Sequence, residues 1–246
     1  MRNFLELAYF GKAYHGWQRQ PNAVSVQEVV EQALQTLLQE NLEITGAGRT
    51  DAGVHAKQLY AHFDTSKPLG KNFLFRVNAL LPKDIALVSV REVTPEAHAR
   101  FDAVSRSYEY HIVKEKDVFS IDTAYWVKKE LRVDEMNRAA KILLEYKDFK
   151  CFSRSRTDVK TYNCSIEHAF WETTNSGLVF HIKADRFLRN MVRAIVGTML
   201  EIGQGKMEAE NMHEIIRSGN RSEAGASVPA HGLFLTRIEY PQTIFI

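Results

Sequence analysis

Arg49 and Asp51 stand two residues apart in the run GAGRTDAG, a guanidinium and a carboxylate set among Gly46, Gly48 and Gly53. Glycine permits close backbone approach and left-handed dihedrals, so such a run can hold a carboxylate in one place. If the segment is locally extended, both side chains point to the same face. A carboxylate so presented could serve as a nucleophile or base, while the same residues could also form a turn with an exposed ion pair. The run is not a dinucleotide fingerprint: its third glycine is displaced, and it leads into a strand pattern instead of a helix. No Gly-Lys-Ser or Gly-Lys-Thr follows to make a phosphate loop. His55, just beyond, could shuttle a proton or fix the loop through a hydrogen bond.

Other groups could assist such a carboxylate. Arg193 borders the apolar positions Val192, Ile195, Val196 and Met199 of a helical pattern, with Arg189 one turn earlier, so its cation could reach into a cleft or lie over apolar neighbours. Tyr108 and Tyr110 alternate along a strand, where tyrosines serve as core, rim or base platform. Arg154, Arg156 and Lys160 in SRSRTDVKTY, with Arg186 and Arg189 just before the helix, are candidates for phosphate contacts, or solvated loop charges. Between Lys147 and Arg193 nine lysines or arginines face five acids, so the mild formal charge of +2 conceals a basic region in the second half. Cys151, Cys164 and His168 lack a fourth ligand and a short paired spacing, so they make a poor metal set, and no metal is expected. Two cysteines are too few to staple 246 residues, and free thiols are expected.

These residues need a scaffold. A content of 45% hydrophobic and 25% charged residues is that of an ordinary globular chain. No apolar run approaches the ~20 residues that cross a bilayer, and Glu6 and Lys12 interrupt the start, so no signal peptide is read and a cytoplasmic protein is expected. Phe4 to Phe10 reads as a strand ending at Gly11. Residues 25–40 read as a helix with a Ser25/Glu28 capping box, followed by a short strand over 42–47, the glycine-bearing loop and the strand QLYAHFD. KNFLFRVNALLP reads as a helix stopped at Pro82, and IALVSVREV as a strand. The second half repeats that β-α-β-β-α-β order: SRSYEYHIV, the helix VDEMNRAAKILLEY, the strands CSIEHAFWET and GLVFHIKAD, and the helix LRNMVRAIVGTMLEIG, with Gly203 as its stop. A helix EAENMHEIIRSG and a strand GLFLTRIEY end the chain. The fold class is α+β with largely antiparallel sheets: two halves, 1–103 and 104–246, meeting near 94–104, with the site in the cleft between them.

The runs GRTDAGVHA, AYFGKAYHGWQRQP with SVQEVVEQAL, RFDAVSRSYEYHI, FSRSRTDVKTY, RFLRNMVRAIVGTMLEIGQGK and GLFLTRIEY, in this order and spacing, resemble the bacterial tRNA pseudouridine synthase A family over nearly the whole chain. The resemblance implies two related halves around a basic cleft and a homodimer that uses neither metal nor organic cofactor. Its substrate would be uridines in the anticodon stem-loop of tRNA, at positions thirty-eight to forty. It makes Asp51 the essential carboxylate, Arg193 its partner, Tyr108 the ring beneath the uracil, and Arg49 a neighbour that holds the extruded nucleotide. The chemistry suits those types. A C–N glycosidic bond must break and the uracil C5 must join the sugar, which calls for an ionised carboxylate at the anomeric carbon, and a nearby arginine favours the charged form. Whether Asp51 attacks the sugar, attacks the base or removes a sugar proton stays open. A stacked uridine must be swung out, so an aromatic face is expected.

Departures from the family pattern are Ser107, where a basic residue is common, and Val228 and His231 in ASVPAHGLFL. Leu233 or Leu235 could wall the flipped base, though alternate strand positions face opposite sides. Two rivals compete with this reading. A glycosidase needs two carboxylates flanking the bond, and no second acid stands out near Asp51. A noncatalytic RNA-binding module would not need Asp51, and the aromatic signature of one such sheet fold is missing.

Overall fold

A computed structural model describes residues 1–154 and 159–246. In chain order the elements are β1 (Arg2–Tyr9), α1 (Val26–Leu38), β2 (Thr45–Gly46), β3 (His55–Asp64), α2 (Phe73–Leu80), β4 (Ile85–Val93), β5 (Ser105–Val113), β6 (Tyr125–Trp126), α3 (Val133–Ile142), β7 (Ile166–Thr173), β8 (Gly177–Ala184), α4 (Met191–Gly203), α5 (Asn211–Ser218) and β9 (Leu233–Glu239). The fold is mixed α+β, and its strands pair mostly antiparallel. Among the described residues no helix is long and apolar enough to cross a membrane. The chain forms two compact units, Met1–Val104 with Leu235–Ile246, and Ser105–Phe234.

In the first unit β1 lies between β3 and β4, antiparallel to both, and β9 neighbours β3. Flanked on both edges, β1 buries Phe4, Leu5 and Leu7, which explains its nearly continuous apolar run. The Ser25 hydroxyl accepts the Glu28 N–H at 3.3 Å, capping α1 as the sequence suggests. From α1, the buried Glu31 accepts the Ile44 N–H at 2.9 Å, and Gln27 donates to the Ile44 carbonyl at 3.0 Å. Two helix side chains thus pin the backbone just before β2, fixing where the next loop begins.

The far end of this unit carries a pH-sensitive contact. His62 on β3 is buried, its Nδ1 accepting the Ala99 N–H at 3.1 Å and its ring 4.7 Å from that of His98. Burial first, then the His98 and Arg2 charges, hold the His62 imidazole down to about 4, against the pull of Asp64 and Asp102; burial lowers His98 as well. An unfolded histidine takes its proton near ~6.5, so stability is complete above that pH and is lost as pH falls toward 4. We expect a loss of about 2–3 kcal/mol over that window. His62→Asn keeps an acceptor without the titration, so it should flatten the fall in unfolding midpoint between pH 7 and 4.5; an unchanged slope would disprove the assignment.

In the second unit β8 lies between β5 and β7, antiparallel to both, and β6 adds a two-residue parallel pairing to β5. Helix α3 packs on α4 and on β7. Asn137 of α3 fastens the edge strand, accepting the Trp171 N–H at 2.8 Å and donating to the Trp171 carbonyl at 3.2 Å. The stripe Val192, Ile195, Val196 and Met199 is buried, as the helical spacing requires. Two sequence expectations for α4 need correction. The helix ends at Gly203 as expected, but not through a left-handed glycine there: Gly203 is buried where a Cβ would lie 2.5 Å from the Met136 sulfur, and Gly205 takes the left-handed φ of 72°. The helix also begins at Met191, after Asn190 at φ 67°, so Arg189 precedes it and is not one helical turn from Arg193.

Candidate active site

The loop that carries Asp51 joins β2 to β3 in the first unit. Asp51 is half-buried and Arg49 exposed. The Asp51 carbonyl accepts the Val54 N–H at 3.2 Å, closing a tight turn in which Gly53 takes φ 79°. The opening segment of the chain holds this turn from below. The Thr50 hydroxyl shares a 2.8 Å hydrogen bond with the Tyr9 phenol, Trp17 N–H donates to the Thr50 carbonyl at 3.4 Å, and Gly53 N–H donates to the Tyr14 carbonyl at 3.3 Å. The approach is too close for side chains. A Cβ on Gly16 would lie 2.3 Å from the Thr50 oxygen, and one on Gly11 would lie 2.0 Å from the Val54 oxygen. Gly46 lies as tightly under the Trp17 indole. The run AYFGKAYHGW is therefore the cradle of the carboxylate loop, a relation that neither segment reveals alone.

His55 is part of that cradle. It is buried, its Nδ1 accepts the Gly11 N–H at 2.9 Å, and its ring stacks on Phe10 at 4.3 Å. An acceptor Nδ1 leaves the other ring nitrogen to carry the proton of the neutral imidazole. This bond ties His55 to the segment that holds the loop.

In the second unit, Tyr108 lies on β5 opposite Ile182, half-buried, with its ring edge-on to Phe187 at 5.1 Å and 85°. Tyr110 on the same strand is fully buried; its phenol donates to the Pro229 carbonyl at 2.9 Å, and burial pushes its ionisation well above the usual range. The two tyrosines therefore part ways, Tyr110 into the core and Tyr108 with part of its ring uncovered. Arg193, the third residue of α4, is half-buried. Its Nε donates to the Val228 carbonyl at 2.8 Å, and the Val228 N–H donates to the Arg193 carbonyl at 3.2 Å.

The basic residues of this unit gather from two segments. Arg154 N–H donates to the Arg189 carbonyl at 3.1 Å, and Arg186 Nη1 reaches the carbonyl of Thr161, next to Lys160, at 3.5 Å. Arg154, Lys160 and Arg189 are exposed and Arg186 partly so. Arg156 lies outside the described residues. Arg106, two residues before Tyr108 on β5, lies near this set: its Nη1 donates to the Asp185 carbonyl at 2.7 Å, next to Arg186 in the chain. Cys151 and Cys164 are buried free thiols, as the sequence suggests, and burial pushes the ionisation of each up to about 12. His168, the third member of that set, is exposed on β7.

A family model described as tRNA pseudouridine synthase matches residues 139–241. The chain is 49% identical over 246 residues to tRNA pseudouridine synthase A of Parabacteroides distasonis, covering 99% of this chain and 98% of that one. The chain belongs to the tRNA pseudouridine synthase A family. Further relatives agree: tRNA pseudouridine synthase A of Bacteroides thetaiotaomicron is 50% identical over 248 residues, covering 99% of this chain and 92% of its own. The tRNA pseudouridine synthase A 2 of Clostridium perfringens is 41% identical over 244 residues, covering 98% and 100%. The protein is thus a tRNA pseudouridine synthase, an isomerase, and the glycosidase and noncatalytic readings fall away. Because these alignments span the chain, they take in the Asp51 loop, which the family model's residues 139–241 do not reach.

Proposed function

We propose that this pseudouridine synthase acts on uridines in the anticodon stem-loop of tRNA, swings the target nucleotide out of its stack, and uses Asp51 to exchange its glycosidic bond. In the exchange the C1′–N1 bond breaks, the uracil turns, and C1′ bonds to C5. The hydrogen at C5 leaves as a proton and N1 ends with one, so no oxidant, reductant or cofactor is consumed. Asp51 supplies the carboxylate this requires, Tyr108 an aromatic face for the extruded base, and Arg193 the guanidinium that the resemblance pairs with Asp51. Arg49 would help to hold the displaced nucleotide. The observation that carries the reading is the pinning of the Asp51 turn by Tyr9, Tyr14 and Trp17, which gives the carboxylate a fixed place before substrate arrives.

Arg154, Arg156, Lys160, Arg186 and Arg189 are proposed to neutralise tRNA phosphates. On that basis Arg154→Ala or Lys160→Ala should weaken tRNA binding and reduce the slope of log K against log salt by about 1 each. Filter binding over a salt series reads this directly, and an unchanged slope removes the residue from the RNA surface. Two related halves flanking a basic cleft, a homodimer and a cytoplasmic setting complete the proposal, on the strength of the family resemblance; a stable active monomer in sedimentation would end the dimer part. The test of the function as a whole is to incubate bulk tRNA with the pure protein and no added cofactor, then map pseudouridine. New sites confined to the anticodon stem-loop are expected, and sites confined to another arm would refute the specificity.

A further inference from the structure

Arg193 is held by a strap that follows α5. Residues 224–229 cross the first turns of α4 at van der Waals distance: a Cβ on Gly197 would lie 1.8 Å from the Ala226 oxygen, and one on Gly225 would lie 2.8 Å from the Thr198 nitrogen. Gly225 N–H donates to the Thr198 hydroxyl at 2.9 Å. Arg221 clasps the strap from its own side, Nη1 donating to the Ala224 and Gly225 carbonyls at 3.1 Å each and Nη2 to the Ser227 hydroxyl at 3.0 Å. Asn190, at φ 67° just before α4, donates from Nδ2 to the same hydroxyl oxygen at 2.6 Å. Ser227 Oγ is thus the point where a donor from the helix start and the Arg221 guanidinium converge on the strap. The next residue, Val228, exchanges two hydrogen bonds with Arg193, its carbonyl taking Nε. On its far side Pro229 is anchored by the Tyr110 phenol.

We propose that Ser227 is a positioning residue for the isomerisation: by tying the strap to Asn190 and Arg221 it sets the Val228 carbonyl, and that carbonyl fixes the direction of the Arg193 guanidinium. A guanidinium with Nε engaged has its plane set, and only its Nη groups remain to meet other partners. An arginine side chain otherwise keeps much rotamer freedom, and small misplacements in a catalytic constellation are costly. A strap that served only to cover α4 would need neither the hydroxyl at 227 nor the reciprocal pairing at 228. The proposal rests on the assignment of Arg193 to the site, so the experiment treats the two separately.

Turnover on tRNA transcripts is measured for Ser227→Ala, Ser227→Thr and Arg193→Ala, with the thermal midpoint of each preparation. Ser227→Ala should lower kcat by about tenfold with KM for tRNA within about twofold, and Ser227→Thr, which restores the hydroxyl, should recover it. Arg193→Ala should lose more than either. If Ser227→Ala fails to fold, Asn190→Gly deletes the other donor while keeping a residue at ease with positive φ, and the same fall in kcat is expected. Wild-type kcat in the folded fraction of Ser227→Ala, or of Asn190→Gly in its place, with Arg193→Ala inactive, overturns the proposal and leaves the site reading intact. Full activity in Arg193→Ala overturns the site reading, and the proposal with it.

Discussion

Asp51→Asn should abolish pseudouridine formation, with a loss of at least about a thousandfold in turnover, while tRNA affinity stays within about threefold of wild type. The substitution keeps the side chain's shape but turns one carboxylate oxygen into an NH2 donor, removing the charge and the nucleophilic oxygen. The turn around Asp51 is fastened by main-chain atoms and by Thr50, through the Asp51 carbonyl to Val54, the Thr50 carbonyl to Trp17 and the Thr50 hydroxyl to Tyr9. Those main-chain and Thr50 bonds are unchanged in the variant. Binding in the proposed scheme rests on phosphate contacts made by basic residues elsewhere. A split between lost turnover and kept affinity is the signature of a group used in the chemical step, whereas a parallel loss of both would indicate a role in docking. Asp51→Glu should also be severely impaired, because an added methylene moves the carboxylate out of a place fixed by the backbone.

Gly16→Ala should cost about 2–4 kcal/mol of stability and lower turnover by about tenfold to a hundredfold. Two independent penalties meet at this position. The φ of 88° is unfavourable for any residue with a Cβ, and that Cβ would lie 2.3 Å from the Thr50 carbonyl oxygen, a backbone atom that cannot swing aside. Relief requires the Thr50–Asp51 peptide to move, and with it the carboxylate. Gly48, in the same loop, meets nothing within 4 Å, so Gly48→Ala should leave the unfolding free energy within about 0.5 kcal/mol of wild type. Thermal unfolding with turnover of the folded fraction distinguishes the two positions. A Gly16→Ala protein of wild-type stability and rate would show that the cradle does not set the loop.

Much of this architecture was legible in the sequence because it is written in periodicity. The alternation in SRSYEYHIV and IALVSVREV marks β5 and β4 over Ser105–Val113 and Ile85–Val93, and the stripe Val192, Ile195, Val196 and Met199 marks the buried face of α4. Element ends were less legible. Gly203 looked like a helix stop because glycine commonly is one, but space beside Met136, not backbone conformation, demands glycine there, and the left-handed role falls to Gly205. The break at Asn190 leaves no periodic trace, and β6 is two residues paired parallel to β5, too short to show any pattern. What could not be read at all were contacts between distant segments. Gly11 reads only as the end of a strand until the Asp51 loop is found against it and Gly16, and Val228 looks like a departure from a pattern until its main chain is found on Arg193. Candidate residues could be named from the sequence, and the groups that hold them could not.

The most direct test of Asp51 as the source of the chemistry follows the hydrogen that must leave C5. With enzyme in excess over a tRNA transcript carrying tritium at C5 of its uridines, and no metal or cofactor added, the wild-type protein should release tritium in one rapid phase matching its target uridines, and the Asp51→Asn protein none. Release by Asp51→Asn at the wild-type rate would contradict the account.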